Sequence, residues 1–178
     1  LWSRKEILEK IPPLFGGGEM IQDVFEETST WAELPHKFEA GTPAIAEAIG
    51  LAEAINYINN IGLNEIHEYE KTITKYLFEK LNQIENIEII GPSPEIDPDR
   101  ASLATFYIKN IHSNDIAEIL DSKGICIRSG HHCCQPLHRY IGIKSTARIS
   151  MNFTTNKEEI DMFIEKLKDT IDFLKINS

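Results

Sequence analysis

Long apolar runs are missing from this sequence. No stretch is long enough to span a bilayer as a helix, and the first residues lack the charged-then-apolar pattern of a signal peptide. Lysine- or arginine-rich runs are missing too. A nucleic-acid binder usually displays a basic patch that releases counterions from phosphates, so that class is set aside. The formal net charge of -10 also speaks against adhesion to anionic membranes. Cysteine is scarce, with only Cys126, Cys133 and Cys134, an odd number packed close together. Adjacent cysteines do not normally pair with each other, so a disulfide framework is excluded. A reducing compartment with reactive or buried thiols is expected, the cytoplasm or a plastid stroma. Internal repeats and low-complexity linkers are also lacking. The sequence opens Leu1-Trp2-Ser3-Arg4 without an initiator methionine and is expected to be part of a longer protein.

What is present has the balance of an ordinary globular protein: 178 residues, 42% hydrophobic and 26% charged. That is enough for one domain, or one domain plus part of another. A short helix over residues 3–10 is stopped by Pro12-Pro13. Gly16-Gly17-Gly18 must be a turn. A strand is expected at Met20 to Phe25, followed by a turn-rich stretch to Pro35. A helix from Ala44 to Asn60 carries small residues that suggest close packing, and Gly62 ends it as a left-handed cap. Asn64 is expected to cap a second helix to Asn82, with Ile66, Tyr69, Ile73, Leu77 and Leu81 at helical spacing. Strands follow at Ile87–Ile90 and Ser102–Ile108, then a helix over 114–122 capped by Ser113. A strand over Ile125–Arg128 would bury Cys126 as a small hydrophobe. Residues 129–136 read as a loop, Thr146–Phe153 as a strand, and Asn156 opens a final amphipathic helix. The back half thus reads β-β-α-β-β-α after two long helices, an α/β arrangement with a sheet covered by helices. Residues 1–60 have too few strands for a core of their own, and residues 61–178 form a second unit.

The densest chemistry lies in Arg128-Ser129-Gly130-His131-His132-Cys133-Cys134-Gln135-Pro136. Three readings are open from the residues alone. The first is nucleophilic catalysis: a thiol attacks as thiolate, and Arg128, His131 and His132 supply a cationic field that favours the anion. The second is a zinc or thiol-redox module using His131, His132, Cys133, Cys134 and His138. Those ligand types suit zinc, but adjacent side chains rarely face one ion together. The third is structural packing, which fits a cluster of four such residues poorly.

The same motif resembles the active-site loop of SUF-type (group II) cysteine desulfurases, fold-type I enzymes that use pyridoxal phosphate. Three further segments agree, in the same order along the chain. Gly16-Gly17-Gly18-Glu19-Met20-Ile21 is similar to the family's glycine-rich segment, and Phe38-Glu39-Ala40-Gly41-Thr42-Pro43 to its Phe-Glu-x-Gly-Thr-Pro motif. Ala147-Arg148-Ile149-Ser150 looks like its late Arg-x-Ser stretch. The resemblance implies that residues 1–60 finish the large cofactor domain of a class-V aminotransferase-like fold. Residues 61–178 would be the small C-terminal domain.

The resemblance also implies roles. Cys133 falls on the nucleophile that takes sulfur from L-cysteine, leaving an enzyme persulfide and alanine. Arg148 falls on the residue that binds the substrate carboxylate, a task suited to a planar fork, and Arg128 supports it. Thr42 and Gly41 fall where the family reaches the cofactor phosphate of the partner subunit, so a homodimer is expected. His131 and His132 shape the loop. A sulfur-acceptor protein of the SUF system is the expected partner and iron–sulfur cluster assembly the destination. No metal site is expected.

The family's Schiff-base lysine lies in the large domain, before the point where this sequence begins. His36-Lys37 imitates such a pair but directly precedes the Phe-Glu-Ala-Gly-Thr motif, where the family has an unrelated basic residue. These 178 residues alone are therefore expected to be inactive. Selenocysteine lyase, which shares much of this framework, is an alternative, as is the metal or thiol-redox module.

Overall fold

A computed structural model describes residues 1–176, which divide into two units at residue 60. In the first unit, α1 (Lys5–Leu8) precedes an antiparallel ribbon of β1 (Ile21–Val24) and β2 (Ser29–Trp31), with Ile21 opposite Trp31 and Asp23 opposite Thr30. β2 falls inside the stretch expected to be turn-rich. Its Thr30 hydroxyl accepts from the Asp23 amide at 3.0 Å, a short polar ribbon that hydrophobic alternation could not announce. A 3-10 turn at His36–Phe38 leads to α2 (Ile45–Ile61). Met20 is buried, but no residue of α2 is. The close packing expected from the alanines of α2 is therefore not realised among the described residues, where Ile49, Leu51 and Ile55 of α2 are also exposed.

The second unit contains α3 (Leu63–Leu81), β3 (Ile87–Ile90), β4 (Leu103–Ile108), α4 (Ser113–Ser122), β5 (Arg128–Gly130), α5 (Gln135–Ile141), β6 (Thr146–Ser150) and α6 (Lys157–Ile176). Its four strands form one antiparallel sheet in the order β3-β4-β6-β5. Strand alternation splits the sheet into two faces. Ala104, Phe106 and Ile108 of β4, with Ala147 and Ile149 of β6, are buried on one face. Ile73, Leu77 and Leu81 of α3, Ile116 and Leu120 of α4, and Ile160, Phe163, Leu167 and Ile171 of α6 complete that core. The Phe106 and Phe163 rings meet at 6.4 Å between centroids. The other face carries Thr105, Thr146 and Arg148, and it is there that the conspicuous loop emerges.

Several boundaries moved, each for a local reason. α3 starts at Leu63, because Gly62 at φ +101 turns the chain directly into it and takes the Ile66 amide on its carbonyl at 3.0 Å. Asn64 lies inside the helix. α4 is capped by the His112 ring, which accepts from the Asn114 amide at 3.2 Å, so Ser113 is its first residue. The Ile125 amide turns back to the Leu120 carbonyl at 2.9 Å, which keeps residues 125–127 out of the sheet and starts β5 at Arg128. Cys126 is consequently exposed, not buried. Its thiol lies 3.5 Å from an Asp121 carboxylate oxygen, and that hydrogen bond and charge push the thiol up from its ordinary range. β6 stops at Ser150 because Asn152 forms a side-chain turn with Thr154 at 2.8 Å. Asn156 and Glu159 then exchange bonds of 2.9 Å each at the head of α6, a reciprocal cap that satisfies otherwise orphaned amides. No helix of the described residues is long and apolar enough to cross a membrane.

Candidate active site

The short strand β5 ends at Gly130, whose φ of +108 is open to glycine and costly for most other residues. His132 and Cys133 follow in the left-handed region at φ +50 and +58, each at a cost of roughly 1–2 kcal/mol for a residue with a Cβ. The Cys134 amide closes the turn on the His131 carbonyl at 2.8 Å. α5 then begins, with Pro136 in its first turn, where no amide hydrogen is needed. α5 ends at a left-handed Gly142, and Ile143 returns to the His138 carbonyl at 3.0 Å. The expected loop over 129–136 is thus a tight turn between a strand and a helix, with the exposed Cys133 thiol near its apex.

Arg128 and Arg148 are direct cross-strand partners in the β5–β6 ladder, and Thr105 of β4 flanks Arg148 on its other side. Like charges directly opposite each other destabilise a sheet. Neither arginine makes an ion pair among the described residues, and the Arg148 Nε is buried without a hydrogen-bond partner. From Ser122 to Lys157 the sequence has no carboxylate at all, while Lys123, Arg128, Arg139, Lys144, Arg148 and Lys157 are cationic. The pair therefore carries positive charge that no carboxylate among the described residues neutralises. A cavity of about 240 Å³ opens beside it, lined by Ile90, Thr105, His132, Cys134, Leu137 and Arg148 among others. Cys134, not Cys133, contributes to this wall.

Three histidines surround the turn. His132 Nε2 lies 3.2 Å from the Thr146 carbonyl, which can only accept, so Nε2 carries the proton and Nδ1 is bare. His138 Nδ1 donates to the Cys134 carbonyl at 3.0 Å, and its Nε2 receives the Thr146 hydroxyl at 3.1 Å. The His131 ring stands edge-on to His138, 5.4 Å between centroids. Burial and the Arg148 charge push the His132 imidazole below its ordinary value of 6.5, against the raising effect of the Thr146 carbonyl. The unfolded chain then takes up the proton first as pH falls. Stability contributed by neutral His132 is present above the ordinary value and is lost as pH drops through it towards the lower folded value. An NMR titration of the His132 ring protons should give a midpoint below 6.5; a midpoint at or above that value would contradict this environment.

Cys133, His131, His132, Arg128 and Arg148 are thus brought together around one turn and one ladder. Sequence reasoning passed over Thr146 and treated His138 only as a metal ligand. The available signal was the polar Thr146 two residues before Arg148, on the same face of β6. Among the described residues no group of three or more His, Cys, Asp or Glu is arranged to hold a metal ion.

Gly41 and Thr42 belong to the first unit. Gly41 adopts φ +82 and donates its amide to the Gly18 carbonyl at 3.0 Å. A Cβ on Gly17 would sit 3.1 Å from the Ala40 carbonyl carbon, so the glycine-rich segment and the Gly-Thr-Pro segment depend on each other's close approach. The Thr42 side chain is exposed and unbonded among the described residues, and the space over Gly41 is open. Such a hydroxyl beside an open glycine fits a phosphate. Lys37 instead donates to the Leu8 and Glu9 carbonyls at 3.0 and 3.1 Å, a role at the end of α1.

The class-V aminotransferase family model matches residues 1–163. A probable cysteine desulfurase from Synechocystis is 51% identical over 173 residues, which cover 97% of this chain and 41% of that protein. One from Staphylococcus epidermidis is 46% identical over the same shares. Among solved structures, the apo cysteine desulfurase of Thermococcus onnurineus superposes with a TM-score of 0.83 at 36% identity, covering 95% of this chain and 42% of that one. The Escherichia coli desulfurase CsdA, in an S-sulfonic acid form, gives 0.84 at 26% identity, covering 97% and 42%. The chain spans about two fifths of the length of these relatives.

Proposed function

The chain belongs to the class-V aminotransferase family, and from that premise we propose that it is the C-terminal part of a SUF-type cysteine desulfurase that converts L-cysteine to L-alanine with pyridoxal phosphate. The observation that carries this reading is the juxtaposition of an exposed thiol on a tight turn with a ladder pair of arginines lacking any anionic partner. An amino acid bearing sulfur at one end and a carboxylate at the other has a use for both.

Arg148, supported by Arg128, receives the carboxylate. The Cys133 thiolate attacks the substrate's sulfur. A sulfur–sulfur bond forms, the carbon–sulfur bond breaks, and its electron pair stays with the carbon, which is protonated to give alanine. Bound pyridoxal phosphate supplies the electron sink that makes this bond weak enough to break. Thr42 and Gly41 would approach the phosphate of the cofactor held by the partner subunit. Cys133 is left as a persulfide, and an acceptor thiolate of the SUF system removes the outer sulfur and returns Cys133 to thiolate. Residues 1–60 would complete the large domain, with residues 61–178 forming the small one, in a homodimer.

The test uses the full-length protein with pyridoxal phosphate, L-cysteine and a reducing thiol. Alanine and sulfide are expected in equal amounts. Alanine from L-selenocysteine alone would favour a selenocysteine lyase, and alanine from neither amino acid would overturn the proposal.

A further inference from the structure

Thr146 stands two residues before Arg148 on β6, and both of its polar oxygens are taken by histidines of the nucleophile turn. Its carbonyl receives His132 Nε2 at 3.2 Å and its hydroxyl meets His138 Nε2 at 3.1 Å. The opposite nitrogen of His138 holds the Cys134 carbonyl at 3.0 Å. Thr146 is 1% exposed and His138 5%, so the link between them is sheltered from water, where an unmade hydrogen bond is costly. An unbroken run of bonds thereby joins the strand that carries Arg148 to the residue that follows Cys133.

That connection matters because the desulfurase reaction, if it proceeds as proposed above, has two fixed points. The substrate is gripped at its carboxylate from β6, and its sulfur must meet a thiol on the turn. Two consecutive residues of that turn, His132 and Cys133, sit in left-handed backbone that a free chain would leave. Something outside the turn has to hold it in place. Beside the β5–β6 ladder, which pairs Gly130 with Thr146, and the His138 amide on the Cys134 carbonyl at 3.3 Å, the side-chain link of Thr146 and His138 does so.

We infer that Thr146 and His138, which also line the cavity beside Arg148, form a positioning pair for the Cys133 thiol, acting through the Cys134 carbonyl. The pair sets how far the thiol stands from the carboxylate receptor. Its loss lets the turn relax, and a displacement of about 1 Å at a reacting atom costs up to about 10²-fold in rate. The grip on the carboxylate is untouched, so affinity for L-cysteine is preserved.

The experiment compares the full-length, cofactor-loaded enzyme with Thr146→Val, Thr146→Ser, His138→Asn and the Thr146→Val/His138→Asn double variant. Valine keeps the shape and removes the hydroxyl, serine keeps the hydroxyl, and asparagine keeps a donor for Cys134 but cannot reach Thr146. Thr146→Val and His138→Asn should each lower kcat for alanine formation about tenfold or more, with KM for L-cysteine within about threefold and the cofactor's absorbance unchanged. Thr146→Ser should restore most of the rate, and the double variant should be no worse than either single change, as expected of residues acting as one unit. A wild-type kcat in Thr146→Val, a serine variant as impaired as valine, or additive losses in the double variant would each overturn the pair. If Thr146→Val does not fold, His138→Asn with Thr146→Ser decides the matter on the same criteria. A wild-type enzyme that makes no alanine overturns the desulfurase reading itself, an outcome distinct from active enzyme with indifferent variants.

Discussion

Cys133→Ser in the full-length protein lowers alanine formation from L-cysteine by at least about 10³-fold, whereas Cys134→Ser lowers it by less than tenfold. Serine is nearly isosteric but is a far weaker nucleophile at neutral pH, and removing an attacking group removes the step that depends on it. Two neighbouring thiols make this contrast informative. Cys134 lines the cavity and donates its amide to close the turn, so accessibility to a ligand alone would favour it. Both thiols are exposed, but Cys133 alone of the two sits in left-handed backbone, a placement that the proposed reaction assigns to the attacking thiol. Alanine and sulfide are quantified with each variant, and the persulfide is located by mass spectrometry after one turnover. Loss of activity with Cys134→Ser and retention with Cys133→Ser would exchange the two roles.

Arg148→Ala raises KM for L-cysteine and lowers kcat/KM by about 10²-fold, and Arg148→Lys recovers only a small part. A charge-assisted hydrogen bond contributes about 1.5–3 kcal/mol, and a planar fork can make two to one carboxylate. Lysine retains the charge but not the fork. Arg128→Ala should have a weaker effect, because Arg128 is exposed and water screens it. The same change also relieves the like-charge contact across the ladder. Initial rates over a range of L-cysteine concentrations test both statements. An Arg148→Ala enzyme with less than a threefold change in kcat/KM would remove Arg148 from carboxylate binding.

The parts of the fold that were legible are those in which burial repeats regularly. α3 and α6 carry apolar residues at helical spacing, and those side chains form the core. β4 alternates strictly and is a strand with one buried face. The motif around Cys133 was conspicuous because so many chemically active side chains stand in a row. The illegible parts are those set by single hydrogen bonds or by charge. α5 has only seven residues and is launched by Pro136 and Cys134, with no long apolar stripe to mark it. Cys126 looked buried because isoleucines flank it, yet the Ile125 amide had already been diverted to Leu120. The ladder pairing of Arg128 with Arg148 depends on the register of residues 20 positions apart, which no local pattern encodes. His138 and Thr146 became visible only once α5 and β6 were placed together.

The shape of β5 bears on how copies of this chain behave in a crowded solution. An outermost strand offers a row of unused amides and carbonyls on which a second polypeptide can polymerise. β5 occupies that outer place in the sheet, but it has only three residues, begins with a charged arginine and breaks at a left-handed glycine. It is too short and too kinked to template a fibril. The abrupt ending that frees the thiol-bearing turn therefore also protects this edge against aggregation. Lengthening β5 by rebuilding Gly130 and the turn in β-branched residues would surrender both at once.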